Sequence, residues 1–201
     1  GGKGTRLYGA YSKDSGATWS RNVLLYESPE GNICECCHPS ALYSQDAQSG
    51  AVSLEVMWRN WLGGARDFYL IRSDAGGPFS KPEKLGMDTW KINACPMDGG
   101  GIAHAGNRTV TAWRRNSEVF LAEPGRAEIR MGEGKDVAVA ASQGQVHAVW
   151  IKGTQLMSWR DGKIEVRAAD AAFPNLVALP EGGTLTAWES NGSIMVQRSN
   201  D

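Results

Sequence analysis

The sequence has 201 residues, with 21 Lys+Arg against 22 Asp+Glu and a formal net charge of −1. That length allows one or two ordinary domains with a sizeable core, and the balanced charge offers none of the clustered Lys and Arg that nucleic-acid phosphates demand, so no nucleic-acid partner is expected. No apolar run approaches the roughly 20 residues that span a bilayer, so no membrane span is expected either.

In chain order, the first informative stretch is Ser12 to Trp19, Ser-Lys-Asp-Ser-Gly-Ala-Thr-Trp, between two runs that alternate apolar and polar residues. It reads as strand, tight turn, strand. Ser12 and Asp14 accept hydrogen bonds from the turn's own amides, Gly16 supplies a backbone angle other residues resist, and Trp19 is expected to pack back under the hairpin. This pattern, carried by Ser12, Asp14, Gly16, Thr18 and Trp19, resembles the Asp-box, the repeated hairpin of the sialidase and BNR-repeat family of β-propellers. A later turn, Asp74-Ala75-Gly76-Gly77-Pro78-Phe79, keeps Asp74, Gly76 and Phe79 and resembles a degenerate box.

A repeat runs through the rest of the chain. Trp58, Trp113, Trp150 and Trp188 each end an apolar run just before a polar turn, at spacings of 55, 37 and 38 residues. Those intervals fall around the length of a four-stranded propeller blade. The expected organisation is a partial blade at 5–26, blades at 40–85, 101–131 and 137–166, and a partial blade at 176–199. The fold class is therefore all-β, a sialidase-like propeller of four-stranded antiparallel blades. With about seventeen strands it falls short of the six blades the resemblance implies. Ser199-Asn200-Asp201 looks like the start of another box, so a truncated ring, or one completed by another chain, is expected.

If the boxes join third to fourth strands at the bottom, the opposite connections emerge at the top, and nearly every unusual residue lies there. Arg59, Arg66, Arg114 and Arg115 offer planar, permanently charged forks suited to a carboxylate. The family resemblance implies an arginine cluster on an acidic sugar, and Trp61 and Trp90 in the same loops could line a glycan platform. Asp67, Asp98 and Asp136, with Glu55, are the carboxylates available for acid or base work, although capping of loop backbone is the commoner role for such residues. The five tyrosines fall in or at the ends of strands. His104 and His147 also fall in strands and read as core or channel residues.

The densest chemical signal is Ile33-Cys34-Glu35-Cys36-Cys37-His38-Pro39, followed by Cys95-Pro96. Both stretches enter consecutive blades on one face and should be neighbours. The favoured reading is disulfides among Cys34, Cys36, Cys37 and Cys95, with Cys95 bridged to Cys34 or Cys37, which implies an oxidising compartment and a secreted or periplasmic protein. Two minor readings stay open: Cys34, Cys37 and His38 fit a c-type haem attachment pattern, and they also suit a soft metal such as zinc or copper(I). The Cys-x-Cys-Cys segment also resembles one found in a bacterial subgroup of exported BNR proteins, with an Arg-Asp pair similar to Arg66-Asp67. The leading functional expectation is an exported propeller that recognises acidic glycans or glycoproteins, and if it is an enzyme, a glycoside hydrolase of sialidase type. The rival is a non-catalytic, protein-binding or assembly propeller whose cysteines clamp loops.

Overall fold

The structure, a computed structural model, describes residues 4–29, 32–45, 48–74 and 76–200. Alternating runs punctuated by Gly-rich turns make strands throughout, and the described residues contain no helix. β1 (Arg6–Gly9) pairs with β2 (Val23–Glu27). β3 (Asn32–Ile33) and β4 (Ser40–Gln45) both lie along β5 (Val52–Trp61), which leads through β6 (Phe68–Asp74) to the two-residue β7 (Glu83–Lys84). Two four-stranded antiparallel meanders follow. They are β8 (Gly101–Ala105), β9 (Arg108–Arg115), β10 (Glu118–Ala122) and β11 (Ile129–Glu133), then β12 (Lys135–Ser142), β13 (Gln145–Lys152), β14 (Gln155–Arg160) and β15 (Lys163–Ala168). β16 (Ala172–Ala178), β17 (Thr184–Ser190) and β18 (Ser193–Ser199) form the last sheet. The first strands β4, β8, β12 and β16 neighbour one another in turn, as the inner strands of propeller blades do. This is the all-β arrangement of four-stranded antiparallel sheets expected from the sequence.

The repeated tryptophans explain how the sheets stack. Each sits at the end of a blade's second strand and plugs the interface with the sheet before it. Trp58 packs with Leu7 of β1, Trp113 with Met57, Phe68 and Leu70, Trp150 with Val110, Val119 and Met131, and Trp188 with Val149, Ile151 and Leu156. Four such interfaces make four cores, so each blade is held mainly by its neighbours. Room for the indoles comes from glycines in the preceding connection. A Cβ on Gly134 would stand 2.4 Å from Trp150 Cδ1, and one on Gly86 would stand 2.7 Å from Trp113 Cζ2. Both also have left-handed φ, 149° and 75°, so no other residue fits.

The Ser12–Trp19 turn is built as its residues dictate. Ser12 Oγ accepts from Gly16 N at 2.8 Å and donates to Asp14 Oδ1 at 2.7 Å, while Asp14 accepts from Thr18 N at 2.9 Å and from Thr18 Oγ1 at 2.6 Å. Trp19 does not pack under the hairpin: it is 65% exposed, in the connection of a sheet that has only two strands among the described residues. In the second turn Phe79 does pack, against the Val56, Trp58 and Ile71 core. Of the residues in these turn motifs, Ala75 and Asp201 lie outside the described residues.

The Thr18 hydroxyl and amide, then Ser12, hold the Asp14 carboxyl down at about 2, below its ordinary 3.8. A folded pKa below the unfolded one means that this contribution is complete above the unfolded value and is lost as pH falls through the folded one. An NMR titration of the Thr18 amide is expected to show a midpoint near pH 2; a midpoint close to that of an ordinary aspartate would contradict the assignment.

Candidate functional site

The connections at the top of the sheets bring Arg59, Arg66 and Arg114 together, but each guanidinium is already engaged. Arg59, on β5, is 1% exposed. It donates to Asp98 Oδ1 at 3.0 Å, to the Arg66 carbonyl at 2.9 Å and to the Arg114 carbonyl at 3.1 Å. Its plane lies over Phe68 and Trp90, 4.2 and 5.2 Å from the ring centroids. Arg114 donates to the Pro96 carbonyl at 2.9 Å, and its Nε stands 2.7 Å from Asp98 Oδ2, close enough for an ion pair though poorly aligned for a hydrogen bond. Asp98 is therefore clamped between two cations, while burial pushes its carboxyl up against their pull. Arg66 donates to Cys34 Sγ at 3.1 Å and stacks on Trp61 at 4.9 Å.

Arg115 does not join this group. Successive side chains of a strand point to opposite faces, so it leaves Arg114 behind and pairs with Glu128, with Asp88 at 3.3 Å and its guanidinium over Phe120. Trp90 is buried, with Arg59 and Arg114 against its ring, and offers no open platform. Asp67 is buried and accepts from Trp90 N at 2.8 Å, tying the 87–100 connection to β6. Glu55 lies lower on β5, saturated by Arg72, His104 and Thr109. Buried His147 has its Nδ1 3.2 Å from Thr184 Oγ1.

The cysteine bridge joins Cys36 to Cys95. The expected partners of Cys95, Cys34 or Cys37, are instead buried thiols, because a tight turn closed by Cys37 N on the Cys34 carbonyl at 3.1 Å folds both inward. Cys34 N is pinned to β5 through the Arg59 carbonyl at 2.8 Å, which leaves Cys36 on the side facing the 87–100 connection. Cys34 Sγ lies 3.3 Å from Cys37 Sγ and 3.5 Å from Cys36 Sγ. A hydrogen bond from Cys37, and after it the charge of Arg66, hold Cys34 down at about 6 in spite of burial, and the same hydrogen bond followed by burial pushes Cys37 up. The three sulfurs of this segment fall within 4.8 Å of one another, but Cys36 is committed to the bridge and the His38 ring lies on Gly99, where a Cβ would meet Nε2 at 2.1 Å.

A second feature at the top was not visible in the sequence. The starts of the inner strands enclose an axial cavity of about 510 Å³, lined by His38, Ser40, Met97, Asp136, Phe173 and Asn175 among others. Met97, Asp136 and Phe173 have φ of 57°, 55° and 49°; Asp136 and Phe173 are each the second residue of an inner strand, at equivalent places in β12 and β16, while Met97 lies in the connection four residues before β8. Asp tolerates that backbone, but for Met and Phe it is strained. Met97 and Phe173 are 75% and 72% exposed, so no burial compensates the strain. Asp136 also opens onto this mouth, and its carboxylate pairs with the neighbouring, exposed Lys135 at 3.4 Å rather than with an arginine.

Among solved structures, the chain is similar to the fucose-specific lectin of Aleuria aurantia, at 12% identity and a TM-score of 0.61 over 91% of this chain and 64% of that one. It is also similar to a point variant of that lectin in complex with alpha-methyl-L-fucoside, at 13% identity, a TM-score of 0.62 and coverage of 91% and 63%. The same variant with Fucalpha1-6GlcNAc gives 13% identity, a TM-score of 0.62 and coverage of 91% and 64%. The chain thus spans less than two thirds of the length of these lectins. No protein-family model matches, and no curated protein matches. These findings correct the sialidase and BNR-repeat resemblance: the hairpin motif is present, but the solved structures whose fold the chain shares are those of the Aleuria aurantia lectin.

Proposed function

We propose that this chain is a glycan-binding propeller that takes a neutral sugar at the axial mouth formed by His38, Ser40, Met97, Asp136, Phe173 and Asn175. The observation that carries the reading is the convergence of three non-glycine residues with left-handed backbone on one cavity. Strained residues persist where the surrounding structure over-determines them, and they concentrate at ligand sites. Here the strain holds two apolar side chains, Met97 and Phe173, out into solvent beside the hydrogen-bonding groups of Asp136, Ser40 and Asn175. A sugar needs that mixture: an apolar surface under its C–H face and fixed acceptors and donors for its hydroxyls.

The structural likeness to fucose-binding lectins supports a sugar as the ligand. A neutral sugar fits better than an acidic one, because Arg59 and Arg114 are neutralised by Asp98, Arg115 by Glu128, and Arg66 is held by Cys34. The role is recognition, since Asp67 and Asp98 serve as structural acceptors. The Cys36–Cys95 bridge supports a secreted or periplasmic location.

Calorimetric titration with L-fucose, other neutral monosaccharides and sialic acid tests the reading. Asp136→Gly and Phe173→Gly remove the side chains while suiting the positive φ, so both variants are expected to keep the wild-type Tm or raise it and to weaken neutral-sugar binding at least about tenfold. Tighter binding of sialic acid than of any neutral sugar, or affinities indifferent to both variants, would overturn it.

A further inference from the structure

We propose that Cys34, Cys36, Cys37 and Cys95 form one thiol–disulfide relay, in which the buried Cys34/Cys37 dithiol passes its electrons through the Cys36–Cys95 bridge to an external disulfide. Three distances carry this. Cys34 Sγ stands 3.5 Å from Cys36 Sγ, one end of the bridge, and 3.3 Å from Cys37 Sγ, while the Arg66 guanidinium donates to it at 3.1 Å. Nucleophile, electrophile and resolving thiol are therefore in contact, beside a fixed positive charge that favours the thiolate. Access is divided in the same way. Cys34 and Cys37 are buried, whereas Cys95 is exposed, and the bridge forms part of the wall of an open pocket of about 330 Å³ with Glu35, Trp61, Arg66 and Asn93.

The steps balance. The Cys34 thiolate attacks Cys36 Sγ, a Cys34–Cys36 bond forms, the Cys36–Cys95 bond breaks, and the electron pair leaves on Cys95 Sγ, which faces the pocket. The Cys95 thiolate takes a proton from solvent at the pocket, and Cys37, giving up its own proton to solvent, attacks Cys34 Sγ; a Cys34–Cys37 bond forms and Cys36 leaves as a thiolate. At this stage one disulfide has moved and no electron has been lost. The released Cys36 and Cys95 react with a low-molecular-weight or protein disulfide acting as the oxidant, re-forming their bridge and yielding two thiols from that disulfide. The net change is oxidation of the buried dithiol by a reagent that never enters the core. Arg66, stacked on Trp61 at the pocket wall, acts as a positioning residue for the Cys34 thiolate.

The test poises the folded chain in glutathione redox buffers, quenches with acid, alkylates free thiols and maps the products by peptide mass. The expected result is that Cys34 and Cys37 lose their reactivity together, with a Cys34–Cys37 linkage as product and transient glutathione adducts only on Cys36 or Cys95. Cys95→Ser is expected to slow oxidation of the buried pair at least about tenfold. Arg66→Gln, which keeps all four cysteines and guards against a folding defect in the first variant, is expected to slow it more at pH 6 than at pH 9. Glutathione found on Cys34 or Cys37, thiols that stay alkylable in fully oxidised glutathione, or rates indifferent to both variants would overturn the relay.

Discussion

Arg59→Ala is expected to destabilise the fold by about 3–5 kcal/mol, the usual result of removing one partner from a buried ion pair. The figure follows from what the side chain leaves behind. Asp98 is 5% exposed, and without Arg59 it keeps only the misaligned contact with Arg114. The Arg66 and Arg114 carbonyls lose a donor at the same time, and the rings of Phe68 and Trp90 lose the plane packed over them. Arg59 thus joins β5, the 59–66 turn, the end of β9 and the 87–100 connection. Denaturant unfolding checks this, and Arg59→Met/Asp98→Asn should cost clearly less than the sum of its single changes, because it removes the charge with its counter-charge. A loss under about 1 kcal/mol for Arg59→Ala would mean that the guanidinium is a surface group awaiting a ligand.

Trp150→Ala is expected to cost about 3–5 kcal/mol by opening a cavity between two sheets. Trp150 is 1% exposed, packs among residues of β9, β10 and β11 on one side and its own sheet on the other, and donates from Nε1 to the Glu133 carbonyl at 3.0 Å. The backbone around it cannot relax inward easily, because Gly134 is held at a left-handed φ against the indole. Thermal and denaturant unfolding measure the loss. Since each sheet leans on its neighbours, the transition should also broaden, as cooperativity between the sheets on either side weakens.

The fold class was legible because alternation, turn residues and the Trp spacing are local properties of the chain. The purpose of the Trp repeat was not, since it concerns the sheet before each Trp; Gly86 and Gly134 were the available signals. The Ser12–Trp19 turn was readable as a hydrogen-bond network, yet a hairpin motif does not fix the family. For the site, sequence placed Arg59, Arg66 and Arg114 in neighbouring connections but could not say that Asp98 and Cys34 already occupy them. Arg115 could have been set apart beforehand, because adjacent residues of a strand face opposite ways. The axial mouth left little mark, as Met97 and Phe173 are residue types that seldom announce a left-handed backbone and Asp136 does so only weakly.

In the proposed arrangement the top arginines bolt connections together while a sugar binds on the axis. The most direct measurement is a crystal structure of the chain with L-fucose or another neutral monosaccharide bound. The sugar is expected in the axial mouth, its hydroxyls on Asp136 and its apolar face against Phe173 or Met97. A sugar seated on Arg66 and Trp61, or between two sheets with the mouth empty, would contradict it.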